Sequence, residues 1–236
     1  QRRISLFDLR TGKFLSGFPL PAFLPALRVV GSELFVGVID VPTGTAVAVY
    51  AFNGTLIRRE GGMPATASKF LKLSEAMPFT RLAVSGTQVY AAFEVSQSLL
   101  TWTRSAKGVT ELPVPVTTRR GVNEALFDEL MRNPQRAREL LYAHSSPVAL
   151  ELLPSGRLAL VTYDGTMVGT GGKFEGTFHL TILDVAGRRL CPEVPVPVGR
   201  NTTTPAVALR SNTLVVLEEG DDAKNEAVTM LRRFTI

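Results

Sequence analysis

The sequence predicts an all-β chain of repeated four-stranded antiparallel sheets, the blade pattern of a β-propeller, with four to six blades and one short helical insertion. Three observations carry this. Hairpin-like segments recur in pairs at intervals of about 40 to 55 residues. Each is an apolar run rich in Val, Leu, Phe and Tyr, broken by a turn of Gly, Ser or Asn. Two nearly identical proline-bearing strands, "ELPVPV" at Glu111–Val116 and "EVPVPV" at Glu193–Val198, close two of the repeats, and "FPLP" at Phe18–Pro21 is a looser third copy.

The first hairpin of each repeat is "VVGSELFVGV" (Val29–Val38), "AVSGTQVYAAF" (Ala83–Phe93), "LLPSGRLALVTY" (Leu152–Tyr163) and "ALRSNTLVVLEE" (Ala208–Glu219). The turn residues tolerate positive φ and the flanking residues favour a buried pleat. The second hairpins are Ser5–Phe18, Ala48–Arg59, Leu100–Val114 and Leu180–Val194, with Gly12, Gly54, Gly108 and Gly187 expected at their turns. First-turn to second-turn spacing is 23 residues (Gly31 to Gly54) and 22 (Gly86 to Gly108). It stretches to 31 (Gly156 to Gly187) because "DGTMVGTGGKFEG" is inserted between the hairpins.

This register gives one domain over 1–236: a lone second hairpin at 4–21, full blades at 27–62, 80–116 and 146–199, and three strands at 205–236. The innermost strands are then Leu27–Val30, Arg81–Val84, Val148–Leu153 and Ala206–Leu209. The alternate prolines fit the same register. In a strand the N–H groups of residues i and i+2 point to one side, so Pro113/Pro115 and Pro195/Pro197 remove donors from a single edge. Such strands belong at the outer rim of a sheet, where missing donors also deter edge-to-edge aggregation.

The phrase formed by Phe7, Asp8, Thr11, Gly12, Lys13, Phe14 and Leu15, echoed at Tyr50–Leu56, resembles a blade motif of bacterial six-bladed β-propeller proteins of the NHL-like and TolB-like kind. The resemblance implies blades over most of the chain. The motif is shared by many functions and implies no activity. Six closed blades need more chain than this, so segments outside the numbered sequence, a smaller ring, and a ring completed by a partner all stay open.

One segment breaks the β pattern. In "NEALFDELMRNPQRARELLY" (Asn123–Tyr142), Leu126, Leu130 and Met131 fall at helical spacing, Asn133 caps a second helix begun by Pro134, and Leu140 and Leu141 continue the apolar stripe. Two short helices inserted at 119–145 are expected. Their stripe exceeds what two short helices bury against each other. Part of the stripe must pack on the ring, where the pair is a covering decoration, and part is left for a partner; Leu126, Leu130, Met131, Leu140 and Leu141, with Arg132 and Arg136, are the residues expected at such a docking surface.

Composition narrows the function classes. Hydrophobic residues are 45% and charged residues 20%, which is globular rather than disordered. No apolar run approaches the roughly 18 residues of a transmembrane helix. Net charge is +5, with arginine pairs at Arg2-Arg3, Arg58-Arg59, Arg119-Arg120, Arg188-Arg189 and Arg232-Arg233. Strand neighbours point to opposite faces, so these pairs read as solvated edges rather than a nucleic-acid-binding stripe. The sole cysteine, Cys191, excludes an intrachain disulfide and is expected to be buried or half-buried beside Pro192. The opening at Gln1 without Met suggests a removed leader or a trimmed chain, and a periplasmic or extracellular location is expected ahead of a cytoplasmic one.

Reactive constellations are sparse. His144 and His179 are the only histidines. His144, Ser145, Ser146, Asp164 and Asp184 allow a triad to be drawn, but no nucleophile elbow is present. Glu151 is the sole carboxylate of the innermost strands, too few oxygens for a hard cation. "EEGDDAKNE" (Glu218–Glu226) reads as a solvated loop, and "GTGGKFEG" (Gly169–Gly176) as a hairpin tip rather than a phosphate loop. No cofactor or metal is expected. The sequence thus points to a non-catalytic propeller that binds a protein or forms part of an assembly. The alternative is a propeller-type hydrolase or lyase with an axial pocket, for which several polar side chains must converge on the axis.

Overall fold

The computed structural model describes residues 3–19, 26–40, 43–63, 80–93, 96–106, 108–114, 129, 132, 145–168, 173–196, 206–221 and 227–236. The hairpin pairs fold as the repeat requires. A two-stranded sheet, β1 (Arg3–Phe7) and β2 (Phe14–Pro19), precedes blade 1, formed by β3 (Ala26–Val30), β4 (Glu33–Asp40), β5 (Thr45–Ala51) and β6 (Leu56–Gly62). Blade 2 is β7 (Thr80–Val84), β8 (Gln88–Phe93), β9 (Ser98–Thr103) and β10 (Thr110–Pro113). Blade 3 is β11 (Ser146–Leu152), β12 (Leu158–Val168), β13 (Lys173–Leu183) and β14 (Val194–Val196). Blade 4 has three strands, β15 (Ala206–Arg210), β16 (Thr213–Asp221) and β17 (Ala227–Thr235). Every pairing is antiparallel and joins chain neighbours.

Strand alternation sorts side chains between successive blades. On β5, Val47 and Val49 join Phe35, Leu82, Phe93 and Trp102 between blades 1 and 2. The intervening Ala48 and Tyr50 turn the other way, packing with Leu34 and Val36 under Ile4 and Phe18 of the N-terminal sheet. Leu99, Leu150, Leu158 and Leu160 fill the space between blades 2 and 3, and Val161, Phe178, Leu214 and Val216 that between blades 3 and 4. The result is a face-to-face succession of sheets whose first strands, β3, β7, β11 and β15, run side by side along the axis. This is a propeller with four blades, three of them complete, beside a two-stranded sheet; the six blades of the resembled family are not what the described residues form.

The rim strands fall where the prolines require. β10 and β14 are the edges of blades 2 and 3, bearing Pro113 and Pro195; Pro115 and Pro197 lie outside the described residues. The second-hairpin turns also dock on the preceding sheet. Gly54, at φ +87°, sits where an added Cβ would come within 2.6 Å of Phe18, and Gly187, at φ +82°, where it would come within 3.0 Å of Leu112. In blade 2 the positive φ (70°) belongs to Ser105, not to Gly108 as expected. The Ser105 N–H donates to Glu60 of blade 1 at 2.9 Å, which fixes the turn three residues earlier than the glycine suggests.

Other expectations are corrected. The insertion in blade 3 lengthens β12 and β13, which stay in register from Leu158↔Leu183 to Val168↔Lys173. Glu218–Asp221 belong to β16, paired with β17, rather than to a loop. Cys191 is exposed, because it follows the turn at 184–189 and precedes the rim strand. Of the helical insertion, Glu129 and Arg132 are described and both are helical and exposed. Leu126, Leu130, Met131, Arg136, Leu140 and Leu141 lie outside the described residues. Among the described residues, no helix is long and apolar enough to cross a membrane.

Candidate functional site

The first strands of all four blades enclose an axial cavity of about 240 Å³, lined by Ala26, Leu27 and Arg28 of β3, Arg81 and Leu82 of β7, Val148 and Ala149 of β11, and Val207–Leu209 of β15. Its wall is mostly aliphatic, as an alternating strand with one face on a neighbouring blade provides. Two arginines interrupt it. Arg28 crosses from blade 1 to blade 3, where Nη2 donates to the Leu150 carbonyl at 2.8 Å and to Glu151 Oε2 at 3.2 Å; Nη1 donates to the Leu27 carbonyl at 3.1 Å. Arg81 Nε donates to the Val148 carbonyl of the adjacent blade at 2.7 Å.

The axis is therefore neither wholly aliphatic nor a convergent set of reactive groups. Burial pushes the Glu151 carboxyl above the usual carboxylate range, and the Arg28 charge beside it offsets this only in part. A guanidinium that bonds backbone carbonyls across blades fixes their separation, because its planar fork holds the bond directions. Among the described residues, the chemistry on offer at the axis is one carboxyl group and two cations, each cation bonded to the wall.

A second polar cluster joins blades 1 and 2 away from the axis. Arg58 Nη1 and Nη2 donate to Glu33 at 2.5 and 3.0 Å, and Arg58 Nε donates to Glu60 at 2.8 Å. Arg104 of blade 2 also donates to Glu33. Glu60 is 1% exposed and accepts from Trp102 Nε1 at 3.4 Å as well as from Ser105. Arg58 and Arg104 lie 5.7 and 5.1 Å from the centre of the buried Phe35 ring. These hydrogen bonds hold the Glu33 carboxyl below its ordinary range, with the bond from Arg58 the largest cause. The cluster corrects the reading of Arg58-Arg59 as a solvated pair: strand alternation sends Arg58 into the seam between blades.

The possible triad does not assemble among the described residues. Ser145 is buried and donates to Asp164 Oδ1 at 3.0 Å. Asp184 is committed to its own turn, accepting from Ala186 N, Arg188 N and Arg188 Nε. His179 is mid-strand, opposite Thr162, and His144 lies outside the described residues. Among the described residues no group of three or more His, Cys, Asp or Glu side chains is placed to hold a metal ion. Sequence reasoning found Glu151 but missed Arg28 and Arg81. The available signal was a lone charge inside each apolar innermost strand, in "LRVV" and "TRLAV".

No protein-family model and no curated protein matches the chain. Solved structures match in fold. The endo-arabinase of Bacteroides thetaiotaomicron is 11% identical, with 92% of this chain and 76% of that one covered at a TM-score of 0.50. The β-propeller domain of Myceliophteria thermophila Cps50 (Swd1) is 18% identical, with 99% and 66% covered at a TM-score of 0.48. At such identities the likeness is one of fold alone.

Proposed function

We propose that this chain is a non-catalytic β-propeller that binds a protein partner or serves as a subunit of an assembly, with the helical insertion at 119–145 contributing to the interface. The observation that carries the reading is the axis. Arg28 and Arg81, the cations of its wall, are engaged with carbonyls of blade 3, so the centre of the ring serves to hold blades together. Binding then falls to surfaces that the blade repeat does not require. The insertion is one, and its Glu129 and Arg132 are exposed. The test replaces Asn123–Tyr142 with a short Gly/Ser bridge and compares partners cross-linked in the native host. Loss of at least one specific partner by a folded variant is expected. Retention of every partner at unchanged affinity would reject the insertion as an interface.

The Arg28–Glu151 pair favours a second reading, a propeller-type hydrolase or lyase with an axial pocket. A carboxyl raised in pKa beside a cavity suits general-acid work. A panel of esters, lactones and glycosides separates the two. Turnover abolished by Glu151→Gln supports the enzyme, and no turnover by the folded wild-type chain supports the binding module.

A further inference from the structure

The axial cavity is more than the space left where four blades meet. Its described lining stands wholly on the first strands β3, β7, β11 and β15. Both guanidiniums reach the same strand of blade 3, Arg81 at the Val148 carbonyl and Arg28 at the Leu150 carbonyl. These carbonyls are two residues apart on one strand edge. A strand rises about 3.4 Å per residue, so the cations they hold are set about 7 Å apart. A residue whose carbonyl turns away from its ladder turns its N–H the same way, which brings the Leu150 N–H to the edge between them. A backbone carbonyl orients a guanidinium but leaves its charge. Glu151 offsets one of the two charges, so the wall keeps one positive charge in excess. Arg28 also has donors to spare. It bonds once through Nη1 and twice through Nη2, which leaves Nε and one Nη1 hydrogen without an acceptor among the described residues. Its side chain is 35% exposed, so a ligand in the cavity can reach these donors.

We infer that the axial cavity binds a small aliphatic monocarboxylate, its carboxylate between Arg28 and Arg81 and its hydrocarbon end against Leu27, Val148 and Val207. Charge, geometry, wall chemistry and volume select this class. A single carboxylate neutralises the one excess positive charge, whereas a dianion would leave unpaired charge in a partly buried site. The guanidinium fork matches the planar pair of carboxylate oxygens, and bonds of about 2.8 Å on either side let one carboxylate bridge cations at this separation. The rest of the described wall is aliphatic side chains, which suit a hydrocarbon tail better than the hydroxyls of a sugar. Volume sets the size: at roughly 30 Å³ for each water-sized group, 240 Å³ holds about eight non-hydrogen atoms. On Arg28 the anion takes the donors that the blade 3 carbonyl leaves, so it adds to the bonds between blades and does not replace them. Such a site needs neither the helical insertion nor turnover, so it stands or falls apart from both functional readings.

The probe is isovalerate, titrated into the whole chain and followed by calorimetry and methyl NMR. Its neutral isostere isovaleramide, acetate and inorganic phosphate are the comparison arms. Expected are saturable binding and shifts of the Leu27, Val148 and Val207 methyls. The amide, which lacks the charge-assisted bonds, and acetate, which lacks the tail, should each bind at least about tenfold more weakly. Phosphate should not displace isovalerate. Arg28→Lys keeps the charge but not the fork and should lose at least about tenfold in affinity. Glu151→Gln removes the competing anion and should bind at least as tightly as wild type. The ligand comparison uses the wild-type chain, so it decides the matter even if Arg28→Lys does not fold. Equal affinity for isovalerate and isovaleramide would make the cavity a merely apolar hole and overturn the inference. So would equal affinity for acetate, displacement by equimolar phosphate, or no saturation at tens of millimolar isovalerate. Methyl shifts confined to other residues, unchanged affinity in a folded Arg28→Lys variant, or weaker binding by Glu151→Gln would overturn it as well.

Discussion

Gly54→Ala separates a propeller, in which turns dock on the preceding sheet, from a string of independent hairpins. Two costs combine at Gly54. Its φ of +87° lies in the left-handed region, where a side chain costs about 1–2 kcal/mol. The new Cβ would also lie 2.6 Å from Phe18 Cβ and Cγ. Phe18 is 8% exposed and its ring is 5.7 Å from that of Tyr50, so it has little room to withdraw, and such overpacking costs about 1–3 kcal/mol. Gly12→Ala is the internal control. Its φ is +68° but an added Cβ meets nothing within 4 Å, so only the backbone cost applies. Any gain from a stiffer unfolded chain is common to both variants. The expected losses are about 2–5 kcal/mol for Gly54→Ala and about 1–2 for Gly12→Ala. At roughly 2–4 °C per kcal/mol for a chain of this size, calorimetry should resolve the difference. Adding Phe18→Leu to Gly54→Ala should recover part of the loss. Equal melting temperatures for Gly54→Ala and Gly12→Ala would refute the docking of this turn on the N-terminal sheet.

Three further outcomes follow from particular residues. Glu60→Ala leaves Arg58 Nε and the Trp102 and Ser105 donors without their acceptor while Glu33 still pairs Arg58, and chemical denaturation should show a loss of about 1–3 kcal/mol; no measurable loss would mean the seam is solvated. The Glu33 carboxyl is held below its ordinary value of 4.5, so its stabilisation is complete above that pH and is lost as pH falls through the folded value; melting curves of Glu33→Gln should lack that acid-side slope. Glu151 has the opposite sign, raised by burial, so its favourable contribution is complete below 4.5 and is lost as pH rises through the folded value, and Glu151→Gln should melt above wild type at neutral pH.

Blade boundaries and rim strands were legible in the sequence because they follow from local rules: period-two alternation, turn residues and the missing donors of Pro113 and Pro195. What pairs across distance was not. Glu33, Arg58 and Arg104 come from three hairpins, and the sequence of Arg58-Arg59 does not say which guanidinium enters the seam. Gly108 drew attention away from Ser105 because glycine is the usual residue at positive φ, whereas here an interblade hydrogen bond from Ser105 to Glu60 fixes the turn. The acidic run at Glu218–Asp221 looked like a loop by composition, yet the ladder with β17 continues through it. Arg28 and Arg81 went unrecognised because a charge in an innermost strand gains meaning only once the opposite blade is known to supply Leu150 and Val148 carbonyls.

Methyl NOE spectroscopy on selectively labelled protein tests the central claim most directly, since the propeller brings four strands distant in sequence to one axis. Leu27, Leu82, Val148 and Val207 line the same cavity from β3, β7, β11 and β15. Cross-peaks should link each of these side chains to the next around the ring. Their absence, with each blade showing contacts only to its chain neighbours through the outer strands, would contradict a common axis and with it the propeller.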